Sequence, residues 1–92
     1  MYYILFYKTV SDYIDKRSLY REEHLAMATK AKEDGHLVLG GALSEPADSA
    51  VLVFKVDSPE IVEAFANNDP YVRNGLISEW QVRPWNVVVG GV

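Results

Sequence analysis

Cysteine is absent from the 92 residues, and histidine occurs only at His24 and His36. The first absence excludes disulfides and thiol chemistry and fits a reducing cytosol. The second would make a zinc site depend on an unusual set of carboxylates, so no metal and no cofactor is expected. No run of basic residues occurs and the net charge is −4, which argues against a nucleic-acid partner and against an anionic membrane surface. No stretch approaches membrane-spanning length. The apolar opening Met1–Tyr7 is too short for a signal peptide and lacks a basic start and a small-residue cleavage site. The expected setting is soluble and cytoplasmic. Phosphate-loop spacing, a dinucleotide fingerprint and a nucleophile elbow are also missing, and Gly40-Gly41 stands alone.

What is present is apolar and aromatic. Hydrophobic residues make up 49% of the chain and aromatics 12%, more apolar surface than one domain spanning residues 1–92 can cover by itself. A homodimer is therefore expected. Tyr2 to Lys8 reads as a strand with two apolar faces, Tyr3, Leu5 and Tyr7 on one and Tyr2, Ile4 and Phe6 on the other. Residues 9 to 15 read as a polar loop, and Asp15 is the candidate N-cap of a helix running to Asp34, stopped by Gly35. On that helix Tyr20, His24, Met27, Ala28 and Ala31 share an inward stripe, while Glu22, Glu23, Lys30 and Glu33 point outward.

His36 to Gly41 reads as a second strand, with a bulge or close backbone approach at the glycine pair. Ala50 to Val56 reads as a third strand, apolar on both faces. Ser58-Pro59 starts a second helix as cap and first-turn proline, with Ile61, Val62, Phe65 and Ala66 buried. Asp69-Pro70 repeats this grammar and predicts a helical turn to Asn74, ended by Gly75. Ile77 to Arg83 alternates as a fourth strand, broken by Pro84-Trp85, and Asn86 to Val89 reads as a last short strand. The order β-α-β-β-α-β is the split pattern of ferredoxin-like α+β folds, a four-stranded antiparallel sheet with both helices on one face. A second subunit's sheet is the simplest cover for the other face.

Few side chains offer chemistry. His24 is the inward imidazole, and a carboxylate partner fixes the tautomer such a ring needs to move protons. Asp69 is the expected partner, brought to it by folding, with one oxygen capping the helical turn and the other receiving the imidazole. Each residue also has a plain role: a histidine on an inward stripe packs, and Asp before Pro caps. Arg21, one turn before His24, suits an anionic substrate group or a pairing with Asp69. Tyr7, Tyr71, Trp80 and Trp85 are candidates for an aromatic pocket wall, although aromatics more often fill cores and interfaces. Arg83 reads as a salt-bridge partner and His36 as structural or exposed.

Four stretches together carry a resemblance: Tyr20-Arg21-Glu22-Glu23-His24-Leu25, Gly40-Gly41-Ala42-Leu43, Asp69-Pro70-Tyr71-Val72 and Val82-Arg83-Pro84-Trp85. In this order the chain resembles the YciI-like (YCII-related) family over nearly its whole length. The resemblance implies a ferredoxin-like fold that dimerises through its sheet faces as a dimeric α+β barrel. It also implies enzymatic activity at a histidine–aspartate pair falling on His24 and Asp69, with the family's helix arginine on Arg21. A member acting as a dehydrochlorinase in chloroaromatic degradation, and related barrels that are muconolactone isomerases or cofactor-free monooxygenases, indicate the range of chemistry. The resulting expectation is a cofactor-independent isomerase or lyase. His24 and Asp69 would be catalytic, Arg21, Tyr7, Tyr71 and Trp80 would bind substrate, and the substrate would be a small cyclic or aromatic acid. A non-catalytic dimeric binding protein and a cofactor-free oxygenase are the alternatives.

Overall fold

The computed structural model describes residues 1–91. Its elements are β1 (Tyr2–Thr9), α1 (Tyr13–Arg17), α2 (Arg21–Glu33), β2 (Leu37–Ala42), β3 (Ser49–Lys55), α3 (Pro59–Asn68), α4 (Pro70–Arg73) and β4 (Ile77–Trp85). The four strands form one antiparallel sheet in the order β2-β3-β1-β4. This is the expected ferredoxin-like α+β arrangement.

Alternation in β1 sorts the sheet faces. Tyr3, Leu5 and Tyr7 are buried together with Leu52 and Phe54 of β3, beneath Val62, Phe65 and Ala66 of α3. The opposite face carries Tyr2, Ile4 and Phe6, with Val51 and Val53 beside them in register. That face stays partly open, with Phe6 41% and Trp85 45% exposed.

The two proline-marked helix starts form as expected. Ser58 is extended and its Oγ accepts from the Glu60 N–H at 3.2 Å, with Pro59 in the first turn. Asp69 does the same for α4, and Gly75, at φ +79°, ends that turn in the left-handed region. The inward stripe of α2 also holds: Ala31 is buried, and Tyr20, His24, Met27 and Ala28 are half-buried.

Three expectations need correction. The long helix from Asp15 is two helices, and Asp15 lies inside α1 rather than capping anything. The chain bends at Ser18–Tyr20, and both pieces thereby deliver a ring to Tyr71, Tyr13 from α1 and His24 from α2. The fourth strand does not stop at Pro84 but continues through Trp85, with Pro84 opposite Tyr3. As an edge strand β4 has no neighbour on one side, so a residue lacking an N–H is tolerated. Asn86 to Val89 forms no strand; Val87, Val89 and Gly91 instead gather near Tyr2, Leu39 and Val53 on the open face.

The glycine pair answers to packing. The register of β2 against β3 shifts between Leu37 and Leu39, and a Cβ on Gly40 would sit 3.0 Å from Leu52 Cγ. The close approach is real, and its partner is a core leucine.

Candidate active site

Asp69 is fully buried, and it is the structural centre of the site. A carboxylate out of water is costly unless its lone pairs are filled. Three donors fill them here. Oδ1 accepts from the Tyr71 backbone N–H at 3.0 Å and from His24 Nδ1 at 2.9 Å, and Oδ2 accepts from the Tyr7 hydroxyl at 2.7 Å. The cap and the imidazole therefore share one oxygen, where the sequence suggested one each. The second oxygen is held by a phenol from β1.

Local structure explains the convergence. Tyr7 points from the middle of the sheet into the helix-covered face, α2 aims its stripe at that face, and α4 begins where α3 leaves it. The proline after Asp69 fixes the turn that puts the Tyr71 ring two residues on. That ring stacks on the imidazole, centroids 3.9 Å apart and planes 7° from parallel. Tyr13 meets Tyr71 in an edge-type contact with centroids 5.8 Å apart, and the Arg17 guanidinium lies 5.6 Å from the centroid of the Tyr13 ring.

Because a carboxylate only accepts, His24 donates through Nδ1, and in the neutral ring Nε2 keeps its lone pair. Nε2 has no partner among the described residues. His24 borders a cavity of about 200 Å3, together with Arg17, Arg21, Tyr71 and the apolar Leu25, Leu37 and Leu52. The surroundings also set the phenols. Burial first, and then the adjacent Asp69 charge, hold the Tyr7 hydroxyl far above the usual phenol range. Burial likewise pushes the Tyr71 hydroxyl up, with Arg21 and Arg17 pulling the other way. Both remain O–H donors at neutral pH.

The structure thus brings His24, Asp69, Arg21 and Tyr71 together. Arg21 makes no ion pair with Asp69; it is exposed at the cavity rim. Tyr7 lies beneath Asp69 rather than on the cavity wall, and Trp80, opposite Tyr7 in register, borders a different depression of the surface. Trp85 is on the open face. Arg83 is exposed and has no ion pair among the described residues. His36 is half-buried beyond the end of α2. Sequence reasoning missed Tyr13 and Arg17, hidden in what read as a loop and the start of a helix. Their signal was the four-residue spacing of Tyr13 and Arg17, about one helical turn. Among the described residues no three His, Asp or Glu side chains converge as a metal site, and no helix is long and apolar enough to cross a membrane.

A family model of the YCII-related domain matches residues 1–86. The chain belongs to the YCII-related family. Its YCII-related relatives include Protein YciI of Escherichia coli O6:H1, 26% identical across 96% of this chain and 99% of its own length. An uncharacterized protein of Haemophilus influenzae is 25% identical over the same shares. Among solved structures, this YCII-related fold is similar to 5-chloro-2-hydroxyhydroquinone dehydrochlorinase from Burkholderia phenoliruptrix, in complex with 2,5-dihydroxybenzoquinone. The TM-score is 0.79 and the identity 21%, with 94% of each chain covered. A putative antibiotic biosynthesis monooxygenase from Deinococcus radiodurans is more distant, with TM-score 0.55 and 10% identity over 98% of each chain. At these identities the likeness shows the fold.

Proposed function

We propose that this protein is a cofactor-independent isomerase or lyase in which His24 moves a proton on a small cyclic or aromatic acid. The observation that carries the reading is the 2.9 Å contact between His24 Nδ1 and fully buried Asp69, which leaves Nε2 as the unpartnered nitrogen of a ring bordering a cavity. Asp69 holds the tautomer and stabilises the imidazolium formed when Nε2 takes a proton. Tyr7 holds Asp69 in turn, so the dyad is supported from below by a rigid strand. Arg21 and Tyr71 meet the substrate. In an elimination, the C–H electron pair becomes the new double bond while halide or water departs with its own. The proton stays on His24 for return to solvent or leaving group. The fold it shares with a dehydrochlorinase supports this class of chemistry.

The same reading makes the protein a homodimer joined through the open sheet face. Phe6, Leu39 and Trp85 are exposed there at 41%, 63% and 45%, a patch of the kind that a second sheet covers. Sedimentation as a pure monomer at micromolar concentration would remove this part.

The test of the chemistry is chloride release from 5-chloro-2-hydroxyhydroquinone, and proton exchange into cyclic lactones, by wild type, His24→Gln and Asp69→Asn. Loss of general acid–base catalysis lowers turnover by roughly 10²–10⁴-fold. Nitrogen NMR reads the tautomer independently, with His36 as the internal control. A His24 ring that exchanges freely between tautomers, or turnover untouched by both substitutions, sinks the mechanism.

A further inference from the structure

One end of the cavity offers donors and no carboxylate. Arg17 and Arg21 both reach it, and among the described residues no Asp or Glu lines it or lies within ion-pairing distance of either guanidinium. Tyr71 lines the same cavity, and its hydroxyl is a buried donor with no hydrogen-bond partner among the described residues, on a residue only 2% exposed. An unpaired buried hydroxyl costs stability comparable to a lost hydrogen bond. Arg17 and Arg21 bring two positive charges to the same cavity. Leu25, Leu37 and Leu52 also line the cavity, and their side chains have nothing polar to offer a ligand.

We propose that this end of the cavity is an anion subsite. It takes a monocyclic planar acid carrying at least two conjugated anionic oxygens, one on the guanidiniums of Arg17 and Arg21 and one accepting from the Tyr71 hydroxyl. The ring lies along the leucine wall, beside Nε2 of His24. Each feature selects against an alternative. Guanidiniums are always charged, so they favour an anionic oxygen over a neutral hydroxyl. The apolar wall would remain uncovered by free phosphate. A cavity of about 200 Å3, below the roughly 300 Å3 at which drug-sized sites begin, suits a ligand about the size of a single substituted ring. Arg17, carried by the separate helix α1, is a specificity-determining residue in this arrangement. The proposal rests on the reading of this cavity as the substrate site, and it does not require that His24 turn anything over.

Calorimetric titration with 2,5-dihydroxybenzoquinone, its uncharged dimethyl ether and inorganic phosphate separates these possibilities, using wild type, Arg17→Gln, Arg21→Gln, Tyr71→Phe and His24→Gln. The dianionic quinone is expected to bind wild type saturably. Each arginine substitution should weaken it by about 10-fold or more, and Tyr71→Phe by about 3- to 10-fold, as the loss of a hydrogen bond to a charged oxygen predicts. The dimethyl ether should bind weakly to every variant, and phosphate less tightly than the quinone. His24→Gln should keep most of the affinity even where turnover is lost. Failure of the catalytic reading therefore shows in His24→Gln turnover, whereas failure of the anion subsite shows in arginine-variant affinity. Equal affinity for quinone and ether, arginine variants that bind like wild type, phosphate binding as tight as the quinone, or no saturable binding to wild type each overturns the proposal. Thermal melts of the variants confirm that they are folded before titration.

Discussion

Ser58-Pro59 and Asp69-Pro70 are two versions of one sentence in the chain. In each, an extended residue caps a helix through its side-chain oxygen and a proline fills the first turn. Their distances are close, 3.2 Å to the Glu60 N–H and 3.0 Å to the Tyr71 N–H. Their fates differ completely. Ser58 caps at the surface and does nothing else. Asp69 is sealed in the core, where the same oxygen also receives an imidazole from α2 and the other receives a phenol from β1. Local grammar chooses the cap; burial decides whether the cap becomes a site. Serine has no second oxygen with which to take on further partners, and aspartate does.

The comparison breaks most readily at Asp69. Asp69→Ala removes a cap and strands two donors, so it should cost about 3–5 kcal/mol in urea denaturation, the sum of a lost cap and two unsatisfied buried groups. A loss no larger than an ordinary cap would mean the buried network adds nothing. Tyr7→Phe is next, at about 1.5–3 kcal/mol for one buried charge-assisted hydrogen bond. It also carries a pH signature. The folded-state pKa of Tyr7 lies far above its unfolded value near 10.0. The stabilisation is therefore complete below that value and is lost as pH rises beyond it. Denaturation measured from pH 7 to 11 should show a shallower alkaline decline in Tyr7→Phe than in wild type; identical slopes would show that the phenol is not held as described. Ser58→Ala sharpens the contrast at the small end. It should cost about 1 kcal/mol and leave the His24 nitrogen spectrum unchanged.

Much of this was legible from residues alone, for physical reasons that differ by element. The doubly apolar β1 and β3 announced a sheet because alternate side chains must go to opposite faces. The α2 stripe announced which way His24 points because helical spacing is fixed. What misled was equally physical. Tyr13 sits in a polar stretch whose flanks, Asp12 and Asp15, look like loop, and only the ring's burial against Tyr71 makes α1 worth forming. Pro84 reads as a strand breaker unless β4 is known to be an edge, which is a property of the sheet and not of the segment.

The sequence by itself determined the order of the four sheet strands, the two proline-marked caps, the stripe that carries His24 and the surplus of apolar surface on two strands. Those follow from spacing and side-chain chemistry within a few residues of each position. The tertiary structure alone decided that one Asp69 oxygen serves both cap and imidazole, that Tyr7 supports the dyad from beneath while Trp80 stands elsewhere, and that Arg17 joins Arg21 at the cavity. Each of those joins residues on different elements, and no local preference encodes the distance between a strand, a helix and a turn until they pack on one another.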